Sequence, residues 1–370
     1  SGKETGLRQI TEDLKHYHLD GISLLNQVGD VMAKISWNKL ILILLIFPFL
    51  FLVITVPMAY TYSEKVDYNI KSNHTYPTIE GYFYYSSLNY SEVHKDQDFD
   101  ENGVVVADYG GSLGRQYNPV TLSQYVLTIA PYASTNCDAY ESMIVNLDFL
   151  LFNAKTTAGG NLIYSYDFDW PPNNESAPWF SSMAQGQAAS ALLWGYRISN
   201  DTKYLEGAKK SIFALIEENS TVPFIKQKNG GIWFKEYPHY RYEVLDGSLA
   251  TIGGIYDLYK SLNESDPDRD LLEQILSDSI FCFKNSSHEF DSVLFGHYYD
   301  NKRTIPNPNY YSCNLAWLEY LSTYDPELET IRNRYMMEEC DTTTKLLMWY
   351  WNNINNVYYR ITGSGSIVNW

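Results

Sequence analysis

WFSSMAQGQAASALLWGYRIS, residues 179–199, opens with a serine pair suited to a helix cap and continues in small residues, with two glutamines spaced by two. The stretch predicts a tightly packed helix over 182–199. Working outward, amphipathic spacing between loops rich in Asn, Gly, Pro and Asp recurs on both sides. Helices are predicted near 119–132, where Pro119 suits a first turn, and near 138–153, 202–218, 246–262, 268–284, 312–324 and 327–350. Helices in antiparallel pairs imply a mainly α chain arranged as an (α/α) barrel or toroid. No repeated sequence signature links them, which argues against a helical repeat array. Unusual residue clusters fall in the loops before the third, fifth and seventh helices, so a site is expected at one mouth of the toroid.

The chain has 370 residues, 45% apolar and 16% aromatic, enough for a substantial core. A net charge of −17 repels polyanions at long range and excludes nucleic acid as a partner. An anionic substrate would need a local cationic patch. The four cysteines (Cys137, Cys282, Cys313, Cys340) fit neither a metal motif nor a dense disulfide framework. Without a Gly-rich phosphate cradle, a zinc-spaced cluster or a nucleophile elbow, no cofactor and no metal are expected.

Before the helices, residues 40–59 (LILILLIFPFLFLVITVPMA) form an uncharged apolar run long enough to span a bilayer, so 38–60 is expected to be a transmembrane helix. A cleaved signal peptide fits less well, because the segment ahead of the run is long for its n-region. Lys34 and Lys39 before the run, against Glu64, Lys65 and Asp67 after it, favour a cytoplasmic N-terminal segment, 1–37. The remainder would be luminal or extracellular, in a Golgi membrane or a cell envelope. Seven Asn-X-Ser/Thr sequons, from Asn73 to Asn285, all follow the run, so glycosylation is expected there. Residues 61–116 carry short aromatic or β-branched runs, such as 82–85 and 104–106, and read as a small β region ahead of a catalytic unit at 117–370.

The residues with the most chemistry lie in three places: WFSSMAQGQ; the segment Gly230–Pro238 (GGIWFKEYP) followed by Tyr242–Gly247 (YEVLDG) and Ile252–Leu258 (IGGIYDL); and Tyr298–Tyr311. The second reads as strand, tight turn, and a helix capped near Asp246. Gln185 and Gln187 would offer donors and acceptors to sugar hydroxyls. Trp170, Trp179 and Trp233 either stack on sugar rings or fill the core. His239 and His297 lie nearby and suit ordinary hydrogen bonds.

Together with Tyr117–Val120 and Gln124-Tyr125, these segments give residues 117–325 the ordered motif set of the D-glucuronyl C5-epimerase family, which the chain resembles in its C-terminal catalytic domain. The resemblance implies an α/α barrel and conversion of glucuronate to iduronate units in heparan-type polysaccharides or related glycans, without a cofactor. It also implies that Glu236, Tyr237, Tyr299 and Tyr310 are catalytic, with Tyr298 and Tyr311 as alternative registers. The C5 hydrogen lies beside a carboxylate, so its removal builds charge on an anionic group, and inversion requires proton return on the opposite face. Glu236 or Tyr237 would serve one face and Tyr310 the other. A phenol is too protonated to act as a base unless nearby positive charge lowers its pKa. Lys302 and Arg303 are the leading candidates for that and for holding the substrate carboxylate, with Arg241 and Lys235 behind them. A polysaccharide lyase, which starts with the same deprotonation, and a non-catalytic glycan-binding envelope protein remain open. Oligomeric state is also open, a homodimer among the options.

Overall fold

The computed structural model describes residues 78–79, 82–83, 90–173, 175–218, 220–292, 296–306 and 308–336. All belong to the compact unit Ser63–Trp370. Among the described residues no helix is long and apolar enough to cross a membrane. The expected tail 1–37 and span 38–60 lie outside them.

Nine helices are described: α1 Tyr90–Lys95, α2 Pro119–Ala133, α3 Cys137–Asn153, α4 Ser182–Ser199, α5 Thr202–Phe213, α6 Leu245–Ser261, α7 Arg269–Ser286, α8 Pro308–Leu321 and α9 Glu327–Tyr335. They pair as successive hairpins, α2 with α3, α4 with α5, α6 with α7 and α8 with α9. Within this set α4 touches both α2 and α6, and α6 also touches α8, so α2, α4, α6 and α8 form an inner row. Residues 182–195 of α4 and 245–258 of α6 are buried on every side, whereas α5 and α7 are amphipathic. The mainly helical α/α architecture is thus present as an arc of four hairpins.

Side chains set the helix starts. The Asn118 Oδ1 accepts from the backbone N–H of Val120 at 2.8 Å, with Pro119 at the first helical position where a missing N–H costs nothing. Asn136, Ser181 and Asp201 cap α3, α4 and α5 in the same way. Asn200, in the left-handed region at φ 58, ends α4. The small residues of α4 also have a packing cause. A Cβ on Gly254 of α6 would stand 2.2 Å from the Gly186 carbonyl oxygen, so the two helices touch backbone to backbone.

Among the described residues, two boundaries differ most from the sequence expectation. α5 stops at Phe213 instead of 218 because the next amides tighten into i→i−3 bonds, and Glu217 turns away to accept from Thr157, Gly159 and Asn161. α8 begins at Pro308, ahead of the expected 312, and its first turn carries Tyr310. The region 61–116 contains a hairpin (Thr78–Ile79 with Tyr82–Phe83) and an antiparallel three-stranded sheet of Asp98–Phe99, Val105–Asp108 and Arg115–Gln116. It also contains α1.

Candidate functional site

The inner helices deliver their N-terminal turns to one place. A cavity of about 430 Å³ is lined by Thr121 of α2, Met183 of α4, Asp246 of α6 and Tyr310 of α8, each in the first turn of its helix, and by Glu236 and Tyr237. That volume suits a small-molecule or single-sugar site. Helix N-termini carry partial positive charge, so the field from all four favours an anion there.

Glu236 and Tyr237 arrive on the segment after the hairpin Ile225–Lys228 and Gly231–Phe234. The Lys235 amide donates to Phe224 O at 2.8 Å, and the Ser182 amide donates to Glu236 O at 3.3 Å, which ties the segment to the start of α4. Glu236 lies directly on α6. A Cβ on Gly247 would stand 2.4 Å from the Cβ of Glu236, so only glycine leaves room for this carboxylate. Tyr299 is held by backbone on both sides, its carbonyl accepting from Leu245 N at 2.9 Å and its amide donating to Thr304 O at 2.8 Å. Glu243 and Asn301 clamp the same two segments together, with Glu243 N donating to Asn301 Oδ1 at 3.0 Å and Asn301 Nδ2 donating back to the Glu243 carboxylate. Tyr299 and Tyr310 meet with ring centroids 5.0 Å apart.

Asp246 was expected to cap a helix. Instead Val244 occupies the cap position without a side-chain bond, and Asp246 is the second residue of α6, turned inward. Both Asp246 oxygens and Oε2 of Glu236 are buried without a hydrogen-bond partner. Burial raises the pKa of Glu236 well above the carboxylate range, and the charge of Asp246 raises it further. Burial likewise raises Asp246, to about 7. Two neighbouring buried carboxyls do not both ionise near neutrality, so at least one of the pair keeps its proton.

The phenols differ from expectation. Burial, followed by the nearby carboxyl charges, pushes Tyr237, Tyr299 and Tyr310 well above the ordinary phenol value. Among the described residues that line the cavity there is no lysine, arginine or histidine. Arg241, Lys302 and Arg303 are exposed outside it, the first two over the ring of Tyr242 at 4.5 and 5.9 Å. The role expected for Lys302 and Arg303, lowering a phenol pKa, is therefore corrected: the tyrosines are hydroxyl donors at neutral pH.

Gln185 and Gln187 are fully buried and do not line the cavity. Gln185 is committed to the scaffold, accepting from Tyr164 N at 2.9 Å and donating to Leu162 O and Ser211 O, each at 2.8 Å. Trp179 does line the cavity, stacked on Tyr166 at 3.7 Å with its indole N–H donated to Phe168 O. Trp170 lines it too, whereas Trp233 is core, stacked on Phe290. Of the alternative tyrosines, Tyr311 is buried with its hydroxyl donated to Tyr335 O and its ring on His297, so Tyr310 is the one at the cavity. His297, buried against Tyr311 and Tyr335, has its pKa lowered to about 4 by burial. Asp246, Tyr109 and Tyr166 line the cavity and escaped the sequence reading.

Solved structures of similar outline include a family 76 glycoside hydrolase from Bacteroides thetaiotaomicron, at 15% identity and TM-score 0.45 over 68% of this chain and 57% of that one. A possible member of the GH105 family from Salmonella enterica matches at 10% identity and TM-score 0.42, over 66% and 74%. The endo-β-1,4-glucanase CMCax from Acetobacter xylinum matches at 10% identity and TM-score 0.42, over 71% and 96%. Residues 158–339, which carry Glu236, Asp246, Tyr237, Tyr299 and Tyr310, match the family described as D-glucuronyl C5-epimerase C-terminus, a family of carbohydrate epimerases.

Proposed function

We propose that the protein is a uronate C5-epimerase, converting D-glucuronate to L-iduronate units within a polysaccharide or glycan by proton abstraction and return at C5. The observation that carries this reading is the meeting of the Glu236/Asp246 pair with Tyr237 and Tyr310 at one cavity, with Tyr299 packed behind them against Glu236 and the Tyr310 ring. The ionised member of the carboxyl pair takes the C5 proton. Charge then developing on the uronate carboxylate is met by the Tyr237 hydroxyl and by the field of the helix N-termini, which stand where a cation was expected. Tyr310 gives its proton to C5 from the other face, breaking its O–H bond as the C5–H bond forms. Tyr299 lies beside both Glu236 and Tyr310, and passes the abstracted proton from the carboxyl pair to the Tyr310 oxygen, which resets the site.

The apolar run 40–59 would anchor this domain to a membrane with the site on the luminal or outer face. Incubation with glucuronate polymers in heavy water tests the reading: deuterium should enter C5 while chains stay intact. Chain cleavage with an unsaturated uronate product would instead mark a lyase. Binding without exchange would mark a non-catalytic glycan-binding protein.

A further inference from the structure

Aromatic rings continue outward from the cavity wall. Tyr237, which lines the cavity, contacts Tyr240 edge-on at 6.2 Å, and Tyr240 contacts Tyr242 at 5.4 Å. Over the Tyr242 ring lie the guanidinium of Arg241 and the ammonium of Lys302. Arg303 stands next to Lys302 on a tight turn whose amides at 303 and 304 donate to the carbonyl and carboxylate of buried Asp300. Among the described residues none of these three cations forms an ion pair, in a chain whose net charge is −17. Arg303 holds φ 74, a left-handed backbone that costs an arginine energy that glycine would not lose. Strain kept at an exposed cation suggests that the side chain is used.

We infer that Tyr240, Tyr242, Arg241, Lys302 and Arg303 form a subsite outside the reaction cavity for an anionic sugar that flanks the reacting unit, with the rings stacking on the sugar and the cations pairing with its carboxylate or sulfate. The inference rests on the uronate reading of the cavity. Rings and cations together are a common means of holding such ligands, since the apolar sugar face and the anion are met at once. The patch also supplies the local positive field that the overall acidic charge otherwise denies an anionic polymer.

The test uses the full chain and oligosaccharides of alternating glucuronate and N-acetylhexosamine, one of about three sugars and one of about ten, with Kd and C5 deuterium exchange read for each. Arg303→Gly and the double change Arg241→Ala with Lys302→Ala should each weaken binding of the long ligand about threefold to tenfold, as expected for exposed charge pairs. Binding of the short ligand should stay within about twofold. Arg303→Gly should keep or raise the Tm, which separates lost binding from lost folding. Unchanged long-ligand Kd in both variants overturns the subsite while leaving the epimerase reading intact. Absence of exchange with either ligand, with the length-dependent loss of binding still present, removes the epimerase reading and keeps the subsite.

Discussion

Replacing Gly247 by alanine asks whether Glu236 must sit where it does. The new Cβ would stand 2.4 Å from Glu236 Cβ and 2.5 Å from both its Cγ and its Oε2. Ordinary carbon contacts need about 3.5–4.0 Å, so Glu236 has to retreat by about 1 Å. Overpacking of this kind costs about 1–3 kcal/mol, and alanine regains about 1 kcal/mol over glycine inside a helix. The net loss of about 0–2 kcal/mol leaves the protein folded. A catalytic group displaced by about 1 Å loses about a hundredfold in rate. Deuterium entry at C5, measured beside a urea melt, should show this split between activity and stability. Gly253→Ala is the control on the same helix. Its Cβ would meet Trp317 Cζ3 at 2.1 Å, in the core, so stability should fall while exchange per folded molecule holds. A Gly247→Ala protein that melts normally and exchanges at the wild-type rate would refute the placement of Glu236 in the reaction.

Three other changes probe the site and its frame. Asp246→Asn should lower exchange at least about a hundredfold. Because Asp246 keeps its proton to about 7 in the fold and only to about 4 when unfolded, the native state binds more protons in that window, and its contribution to stability falls as pH rises through it. The wild-type minus Asp246→Asn difference in unfolding free energy by urea should decline over that range, and a flat difference would contradict the burial argument. Tyr310→Phe should cut exchange by about 10²–10⁴, whereas Tyr311→Phe, which loses one bond to Tyr335 O, should cost about 1 kcal/mol of stability and leave exchange intact. The reverse pattern would exchange their roles. Gln185→Ala strands three buried backbone groups and should cost about 2–4 kcal/mol, with exchange per folded molecule unchanged; a selective rise in KM would restore it to substrate binding.

Periodicity and caps carried much of the fold. Asn118-Pro119 marks the start of α2, and the 182–199 helix runs between the residues expected of it, because cap chemistry is local and can be read from neighbours. The end of α5 was not legible, since Glu217 answers to a loop about sixty residues earlier in the chain. The same divide runs through the site. EYP and Tyr310 were legible by resemblance, and the structure brings Glu236, Tyr237, Tyr299 and Tyr310 together. Asp246 was hidden because an acid in the first turn of a helix ordinarily serves the helix. Its one clue was Gly247 beside it, a glycine early in a helix with no turn to explain it. Exposure is invisible in sequence: Lys302 and Arg303 follow Tyr299 closely, yet they stand exposed outside the cavity.

The backbone contact of Gly186 with Gly254 also constrains how a substrate can enter. With no side chain between them, α4 and α6 have no slack to slide or part, and the floor that carries Ser181 and Asp246 is fixed in width. In the proposed epimerase, admission of a glycan chain would therefore fall to the segment after the hairpin, whose Tyr237 lines the cavity. Turnover on long chains would then be timed by loop motion, and a bulky residue at position 186 or 254 would separate the helices rather than widen the entrance.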